Sequence, residues 1–270
     1  MNTKKRLEGK WAVVTGASGG IGLEFCRVLA SRGCNLVMVA IEDKQLEDAA
    51  YGVAENYGVE TVPLTLDLTR REAPVRILAL LDSRNIEPFI LINNAGIFTF
   101  SPVVETSGEK TDRFVDLHVR VTTQLTREFA LRMKELGSGH ILNMSSMSCW
   151  MPMPGIALYS ATKAYIRVLS RAMHYELKDY GVSVTVACPG GIATDLFGLP
   201  KKLQKFAVAI GVLAKPDKFA GKAVDRMLRG RKQYINGFLN RFSIFFVSVL
   251  PTSVRMMIKR RMLDKNIRVG

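Results

Sequence analysis

Residues 11–22 have the sequence WAVVTGASGGIG, a short apolar run followed by a glycine-rich turn. The apolar run predicts a buried strand, and the amphipathic stretch after the turn predicts a helix that begins near Ile21. Glycines let the backbone approach a diphosphate without a clashing Cβ, and the free N–H groups of a helix start attract its charge. A glycine-rich turn can lack any function, but the strand before it and the helix after it favour dinucleotide binding.

Strands and helices alternate along the chain on both sides of this turn. Short β-branched runs predict strands, and longer amphipathic stretches predict helices. The predicted strands are 11–15, 35–39, 61–66, 89–93, 140–144 and 182–187, and the predicted helices are 21–32, 44–56, 74–82, 112–136 and 158–180. This order predicts an α/β protein with a three-layer, doubly wound Rossmann fold and a mostly parallel sheet of about seven strands.

The composition is that of an ordinary globular domain. The chain has 270 residues, of which 48% are apolar and 23% charged, and this excludes a disordered or collagen-like protein. No linker or repeat divides it, so we expect one domain over residues 1–270. The four cysteines form no C-x-x-C pair and the three histidines lack metal-ligand spacing. We therefore expect buried, reduced thiols and no metal site.

Six short motifs occur in order between residues 11 and 195. They are T-G-A-S-G-G-I-G at 15–22, Asp67-Leu68, N-N-A-G at 93–96, Ser146, Y-S-A-T-K at 159–163, and Pro189-Gly190 followed by Thr194. Each motif is weak alone, but together they resemble the short-chain dehydrogenase/reductase family. The resemblance implies an enzyme that uses NAD(P)(H), with a cofactor-binding and catalytic core at 7–195, a substrate flap at 196–214 and a C-terminal extension at 215–270. The cofactor contacts that it implies are Gly16, Ser18, Gly20, Ile21, Gly22, Asp67, Leu68, Asn94, Ala95, Gly96, Tyr159, Lys163, Pro189, Gly190, Ile192 and Thr194.

Tyr159 and Lys163 lie four residues apart on a predicted helix and therefore share one of its faces. A nearby ammonium and an oxidised nicotinamide would both favour the phenolate of a tyrosine whose ordinary pKa is about 10. We predict Tyr159 as the general acid and base, Lys163 as the group that tunes it and holds the nicotinamide ribose, and Ser146 as the residue that orients the substrate oxygen. A Tyr/Lys pair alone is more often a plain helix surface. Ser145 competes with Ser146, but the family interval of 13 residues to Tyr159 selects Ser146.

His118 departs from the family pattern. Many members carry an asparagine in the helix after the fourth strand, which supports the active-site lysine through a water, and here the alignment places His118 at that position. His118 could hold such a water through a ring nitrogen or its backbone carbonyl, or it could pack in the core. We leave it out of the predicted site. The departure is the chief support for an alternative in which the chain binds the cofactor as a sensor or scaffold and does not catalyse.

The residue after the second strand usually separates NAD from NADP in this family. An acid there bonds the ribose 2′-hydroxyl, and an arginine takes the 2′-phosphate. Ile41 fits neither rule. Glu42 and Asp43 would repel a phosphate, Lys44 would attract one, and Gly19 stands where many NADP-dependent members have a basic residue. The three charged residues could also merely cap the next helix. We predict NAD(P)(H) with a slight preference for NAD.

Apolar residues are frequent near the predicted pocket. Trp150, Met151 and Met153 precede Tyr159, and the segment 196–214 is rich in leucine, valine and phenylalanine. Such side chains suit an apolar substrate, although they could equally pack a core or an oligomer interface. We predict interconversion of a ketone and a secondary alcohol on a lipid-like small molecule of the fatty acyl or steroid class. The resemblance implies a homo-oligomer, either dimer or tetramer, and a 3-oxoacyl carrier-protein reductase is a further alternative.

The net charge of +14 lies at the end of the chain. Residues 201–270 hold 17 lysines and arginines against 3 acids, whereas residues 1–200 are balanced. The mixture of apolar and basic residues favours a peripheral membrane contact through 238–270. No module for nucleic acid is apparent, and docking of an acidic carrier protein or a solvated helix face with a dimer contact stays open. No stretch is long enough to span a bilayer, so we expect a cytoplasmic protein, associated with the cytoplasmic face of a membrane.

Overall fold

Seven strands form one sheet in the computed structural model, which describes residues 7–192 and 213–262. The strands are β1 (Trp11–Thr15), β2 (Asn35–Ala40), β3 (Thr61–Thr65), β4 (Pro88–Asn93), β5 (Gly139–Met144), β6 (Val182–Ala187) and β7 (Gln233–Tyr234). Their order across the sheet is β3-β2-β1-β4-β5-β6-β7, and all six neighbouring pairs are parallel. The predicted doubly wound α/β fold is therefore confirmed.

Helices cover both faces of the sheet. They are α1 (Gly20–Ala30), α2 (Asp43–Tyr57), α3 (Ala73–Ser83), α4 (Gly108–Val115), α5 (Val121–Glu135), α6 (Ala157–Glu176), α7 (Pro216–Leu228), α8 (Phe238–Ser248) and α9 (Thr252–Met262). Apolar side chains of α1, α2 and α7 pack on one face, and those of α3 and α5 pack on the other. Alternate residues of β1 enter the two cores, with Val13 in one and Val14 in the other, so the strand is apolar throughout.

Two predicted helices differ from the observed ones. The stretch 112–136 is not one regular helix, because a π-helical turn (Asp116–Arg120) separates α4 from α5. Helix α4 also begins earlier than predicted, at Gly108, where the Ser107 hydroxyl caps it by accepting from the Lys110 N–H at 3.3 Å. The stretch 158–180 ends as an α-helix at Glu176 and closes with a 3₁₀ turn (Lys178–Tyr180).

The order of the strands creates a crevice at one edge of the sheet. The chain crosses from β1 to β2 on one side, and β4 then returns to the opposite side of β1. Ligands of open α/β sheets bind at such a switch point, outside the carboxyl ends of the strands. The segments that follow β1, β4, β5 and β6 all meet there, and they contain most of the predicted functional residues.

A buried polar network ties the catalytic helix to this part of the sheet. The Asn93 amide on β4 donates to Asn143 on β5 at 2.8 Å and to Thr126 on α5 at 3.1 Å. The Asn143 amide donates to the Ser170 hydroxyl on α6 at 2.9 Å, and Ser170 donates to the Ile166 carbonyl. All four polar side chains are buried, and each donor has a partner. The network fixes how α6 lies on β4 and β5.

The last two helices follow the short strand β7. Helix α8 contacts the 3₁₀ turn Met147–Trp150, and the side chains of Phe242, Phe246 and Val249 are more than half exposed. None of the described helices combines the length and apolar character needed to cross a membrane. The predicted flap lies almost wholly outside the described residues, as does Thr194.

The prediction of buried thiols holds for three of the four cysteines. Cys26, Cys34 and Cys188 are buried, whereas Cys149 is only partly buried and contacts the thiol of Cys188. Burial raises the pKa of Cys34 to about 12, so this thiol stays protonated at neutral pH. No cluster of potential metal ligands is found among the described residues.

Candidate active site

The glycine-rich turn between β1 and α1 has the backbone that a phosphate cradle needs. Gly16 and Gly20 have φ angles of +65° and +54°, a region that favours glycine. A Cβ at Gly22 would lie 1.9 Å from the Gly16 carbonyl oxygen, so no other residue fits there without movement. Gly19 caps α1 without any side-chain hydrogen bond, which leaves the first N–H groups of the helix available for an anion.

Thr15 and Asn94 fasten this turn to the end of β4. The Thr15 hydroxyl oxygen accepts from the backbone N–H groups of Asn94 at 3.0 Å and Ala95 at 3.1 Å. The Asn94 amide donates in return to the carbonyl oxygens of Thr15 at 3.0 Å and Gly16 at 3.2 Å. The ends of β1 and β4 are thereby held together at the switch point, and the N-N-A-G motif has a structural role beside any contact with a cofactor.

A cavity of about 350 Å³ lies at this edge of the sheet and contains most of the predicted site residues. The predicted residues that line it are Gly16, Gly20, Ile21, Asn94, Ala95, Gly96, Ser146, Tyr159, Lys163, Pro189, Gly190 and Ile192. Its walls also include residues that we did not predict, namely Gly19, Gln45, Ile97, Met144 and Ser145. Four predicted contacts lie outside the lining: Ser18, Gly22, Asp67 and Leu68. Gly22 acts beneath the turn, because its missing Cβ makes room for the Gly16 carbonyl.

Asp67 follows β3 and is engaged with its own loop. Its carboxylate accepts from the backbone N–H of Thr69 at 2.9 Å and from the Thr69 hydroxyl at 2.8 Å. Partial burial raises the pKa of this carboxyl, but the Thr69 bonds and the nearby charges of Arg113 and Arg70 outweigh burial and leave the pKa below its ordinary value. Asp67 is therefore an ionised residue that shapes the loop after β3, where the resemblance places the adenine.

Tyr159 and Ser146 meet inside the cavity. Tyr159, in the first turn of α6, is 5% exposed, and its hydroxyl is hydrogen-bonded to the side chain of Ser146. The Ser146 oxygen also accepts from the Ser148 N–H at 3.1 Å, so its own proton is available for a second partner. Burial raises the pKa of Tyr159 to about 12 and outweighs the opposing hydrogen bond from Ser146. Without a cofactor the phenol is therefore protonated at neutral pH, and the expected effect of Lys163 and an oxidised nicotinamide on it stays a prediction.

Lys163 lies one turn further along α6 and is almost completely buried. Its ammonium donates to the Met144 carbonyl at 3.0 Å and lies 5.6 Å from the centre of the Tyr159 ring. Burial lowers the pKa of Lys163 to about 8, and the nearby Cys188 opposes this only weakly. The site therefore keeps a buried positive charge at neutral pH, close to the phenol that would become negative on giving up its proton.

Ser145 and Ser146 have different partners, although both line the cavity. The Ser145 hydroxyl donates to the backbone carbonyl of Lys163 at 2.7 Å and is thus used in joining β5 to α6. The Ser146 side chain is the one bonded to Tyr159. The two serines thus have different partners, and the choice of Ser146 as the catalytic serine stays a prediction.

His118 lies behind Tyr159, in the π-helical turn, and is fully buried. Its Nε2 accepts from the Ile97 N–H at 3.1 Å, and its Nδ1 lies 3.0 Å from the Thr162 hydroxyl. Both ring nitrogens are thus bonded to protein groups, and neither is left for a water. Of the interpretations left open by the sequence, water binding through the ring does not fit this geometry.

The segment after β2 reaches the cavity at Gln45. The Ile41 side chain is 56% exposed, and the Asp43 carboxylate accepts a hydrogen bond from the Thr65 hydroxyl. Gln45 was missed by sequence reasoning, yet its side chain lines the cavity and would lie 3.5 Å from a Cβ at Gly19. The available signal was its place in the first turn after β2, directly opposite a glycine-rich turn.

These features fit a dinucleotide. The cradle of Gly16, Gly20 and the uncapped start of α1 would hold a diphosphate, and Lys163 with Tyr159 would face the nicotinamide half. Both sets of residues, together with Asn94 and Pro189, line the same cavity.

Comparison with known proteins agrees with the geometry. The model of the short chain dehydrogenase family matches residues 10–202. The very-long-chain 3-oxoacyl-CoA reductase of Anas platyrhynchos is 32% identical over 254 residues, which is 92% of this chain and 78% of that protein. The inactive hydroxysteroid dehydrogenase-like protein 1 of Pongo abelii is 34% identical over 191 residues, 70% of this chain and 57% of that protein. A short-chain dehydrogenase from Sphingobium yanoikuyae, solved with NADPH, is 27% identical with a TM-score of 0.76, over 90% of this chain and 97% of the other.

The chain belongs to the short-chain dehydrogenase family, as the motifs predicted. Its class is that of NAD(P)-dependent oxidoreductases acting on a CH–OH or C=O group, which confirms the predicted enzyme class and cofactor type. The slight preference for NAD gains no support, because the structural neighbour was solved with NADPH. The chain spans 57% of the second relative, so its own substrate is a matter for proposal.

Proposed function

We propose that this chain reduces the ketone of an apolar, lipid-like substrate to a secondary alcohol, with Tyr159 as the proton donor. The observation that carries this proposal is the Tyr159 hydroxyl, hydrogen-bonded to Ser146 inside a cavity that also contains Lys163. With a pKa of about 12, the phenol is protonated at neutral pH and ready to donate.

The chain's own residues account for the proton and for the position of the oxygen. Ser146 uses its oxygen to accept from Ser148, so its hydroxyl proton can hold the substrate carbonyl beside Tyr159. Tyr159 donates its proton as the carbonyl oxygen gains negative charge, and the buried ammonium of Lys163 stabilises the phenolate left behind. Bound NAD(P)H supplies the hydride.

An apolar substrate is supported by one aromatic ring beside the tyrosine and by the names of two relatives. The ring of Phe98 packs edge-on against Tyr159, with centroids 5.1 Å apart. Trp150, Met151 and Met153, which we expected beside Tyr159, instead line a second cavity of about 570 Å³. Its remaining walls are mostly apolar as well. Two relatives support the same class, since one is named for 3-oxoacyl-CoA and the other for hydroxysteroids.

The decisive experiment compares two tyrosines of α6. Tyr159→Phe should lower kcat on a 3-oxoacyl thioester or a steroid ketone by at least about 100-fold, the usual size of a general-acid contribution. Cofactor affinity, measured by NAD(P)H fluorescence, should stay within about twofold, because the phenol is not needed to hold the diphosphate. Tyr165→Phe is the matched control: Tyr165 is 40% exposed, and its hydroxyl is hydrogen-bonded to Thr123. Full turnover by Tyr159→Phe would refute the assignment.

The non-catalytic alternative is supported by the departure at His118 and by relatives that are named inactive. If the parent protein binds NAD(P)H but turns over no ketone in a broad panel, a sensor or scaffold role follows. A carrier-protein reductase is distinguished by a preference for the carrier-linked substrate over the free thioester, and by loss of that preference at high salt.

For the cofactor, we propose that NAD(H) is preferred slightly. Two acids, Glu42 and Asp43, follow the exposed Ile41, and both would repel a 2′-phosphate. The residue of this segment that lines the cavity is the neutral Gln45. The ratio of kcat/KM for NADH and NADPH measures the preference, and a ratio well below one would overturn it.

For the C-terminal segment, we propose a peripheral contact with the cytoplasmic face of an anionic membrane. Exposed Phe242, Phe246 and Val249 lie in the chain between the exposed basic residues Arg241 and Lys259. Removal of 238–270 should reduce binding to anionic vesicles while the core stays folded. Equal binding by both forms would remove the membrane contact and leave these residues to the homo-oligomer that the family resemblance implies, which sedimentation would detect.

A further inference from the structure

His118 lies between the loop after β4 and helix α6. We call its hydrogen-bonded contacts with Ile97 and Thr162 the joint. The histidine lies in the π-helical turn Asp116–Arg120, and its ring packs edge-on against Tyr159 with centroids 5.9 Å apart. On its other side the ring meets Phe114 in the same edge-on manner at 5.3 Å. Single π turns within helices are often found at functional sites. His118 thus packs directly against the ring of Tyr159.

The hydrogen bonds around the ring define one tautomer. The Ile97 backbone N–H donates to Nε2 at 3.1 Å, so Nε2 carries no proton. A neutral ring then bears its proton on Nδ1, which donates to the Thr162 hydroxyl oxygen at 3.0 Å. Thr162 donates its own proton to the Tyr159 carbonyl oxygen at 2.9 Å. The three hydrogen bonds therefore run in one direction: Ile97 donates to His118, His118 donates to Thr162, and Thr162 donates to the backbone carbonyl of Tyr159.

The surroundings oppose a charged ring. Burial, with a smaller contribution from the Lys163 ammonium, holds the pKa of His118 well below its ordinary value. Protonation of Nε2 would also turn it into a donor that faces the Ile97 N–H, which would break the first bond of the chain. The titratable groups that α6 turns toward this histidine are Lys163 and Tyr159.

We propose that His118 is a positioning residue which, as the neutral Nδ1–H tautomer, joins the cavity loop after β4 to the catalytic helix α6. On the loop side it holds Ile97, a lining residue of the cavity. On the helix side it acts through Thr162, which lies between Tyr159 and Lys163. His118 carries no proton during the reaction. The effect on turnover rests on the proposed function, but the tautomer and the joint do not.

The tautomer can be measured without any substrate. In the full chain labelled with ¹⁵N-histidine, His118 should show a protonated Nδ1 and an unprotonated Nε2, with no change between pH 8 and 6. His118→Asn identifies its signals among the three histidines. A protonated Nε2, or an imidazolium at pH 7, would overturn the proposal whatever the activity of the protein.

The joint is tested by substitutions that remove its hydrogen bonds at Thr162 and at His118. Thr162→Val removes the hydroxyl with little change of shape and should lower kcat about tenfold, the value of one lost hydrogen bond. Thr162→Ser keeps a hydroxyl and should restore most of that loss. His118→Gln offers an acceptor near the Nε2 position, so it should exceed His118→Phe in kcat. Combining His118→Phe with Thr162→Val should cost less than the product of the two single effects, because both cut one chain.

A pH profile separates positioning from proton transfer. If His118 only positions, the apparent pKa values in the kcat profile of Thr162→Val should match those of the parent. A shifted apparent pKa in the kcat profile of Thr162→Val would contradict the proposal. So would a double variant whose loss of kcat equals the product of the losses in His118→Phe and Thr162→Val. If the parent itself shows no turnover, the proposed function fails, and the histidine spectra still decide the tautomer.

Discussion

The close packing beneath the glycine-rich turn makes Gly22→Ala a severe change for so small a side chain. The added Cβ would lie 1.9 Å from the Gly16 carbonyl oxygen and 2.7 Å from the Asn94 amide nitrogen. An ordinary contact begins at 3.4 Å, so the carbonyl must retreat by about 1.5 Å. Both neighbours belong to the bonds that fasten β1 to β4. The substitution therefore moves the phosphate cradle itself.

A displacement of this size sets the expected effects. Misplacement by about 1 Å can cost about 100-fold in rate, so kcat/KM should fall at least that much. Overpacking should lower the free energy of unfolding by about 1–3 kcal/mol. NAD(P)H fluorescence titration should show weaker binding of the cofactor, and thermal unfolding should show a lower Tm.

Gly52→Ala is the matched control in another helix. Gly52 lies inside α2, and a Cβ there would meet nothing within 4 Å. Alanine should stabilise this helix by about 1 kcal/mol and raise Tm by about 2 °C. Unchanged cofactor affinity and Tm in Gly22→Ala would refute the argument from close contact, whereas a loss in Gly52→Ala would show that helix glycines matter here for some other reason.

Three further predictions concern charge and cofactor choice. Lys163→Met should abolish turnover yet raise the free energy of unfolding at pH 7 by about 2–3 kcal/mol, since burial lowers the pKa of Lys163 from 10.5 to about 8. Between pH 8 and pH 10.5 the unfolded parent binds more protons than the folded parent. The advantage of Lys163→Met in the free energy of unfolding, measured by urea titration, should therefore shrink over this range. An advantage that stays constant would contradict the argument. The parent protein should lose stability below pH 6.5 relative to His118→Asn, because unfolding lets a buried neutral histidine take up a proton; parallel stability curves would contradict this. Ile41→Arg should shift the ratio of kcat/KM for NADPH over NADH upward by about tenfold, one charge-assisted bond, and steady-state kinetics with both cofactors would detect the absence of a shift.

The strands were predictable because each carries a short β-branched run between turn signals. The six predicted strands are observed with bounds that differ by at most one residue at either end, and the strand 11–15 is identical. The seventh, Gln233–Tyr234, has only two residues, so it leaves no periodic pattern. Its pairing with β6 depends on where the tertiary structure puts that segment.

The site was predictable where local spacing sets geometry. Tyr159 and Lys163 share a face because they lie one turn apart on α6, and the glycine-rich turn follows directly from β1. Properties that depend on burial were not predictable. The rise in the pKa of Tyr159 that burial causes is one of them, because the sequence gives no measure of how much water is excluded.

Contacts between residues far apart in the sequence were also not predictable. The π turn around His118 was hidden because α4 and α5 continue the same amphipathic period on either side of it. The partners of that histidine, Ile97 and Thr162, are 21 and 44 residues away in the chain. Trp150 was placed near the catalytic tyrosine by sequence proximity, yet it lines a different cavity.

The buried network of Asn93, Thr126, Asn143 and Ser170 constrains how this protein can evolve. Each of its members satisfies another, so a single apolar replacement would strand a neighbour's donor or acceptor away from water. Descendants that abandon the arrangement must therefore exchange several of these positions together, or pass through an unstable ancestor. Sequence drift in this lineage should then be slow and correlated at the four sites, even though none of them touches the reacting groups.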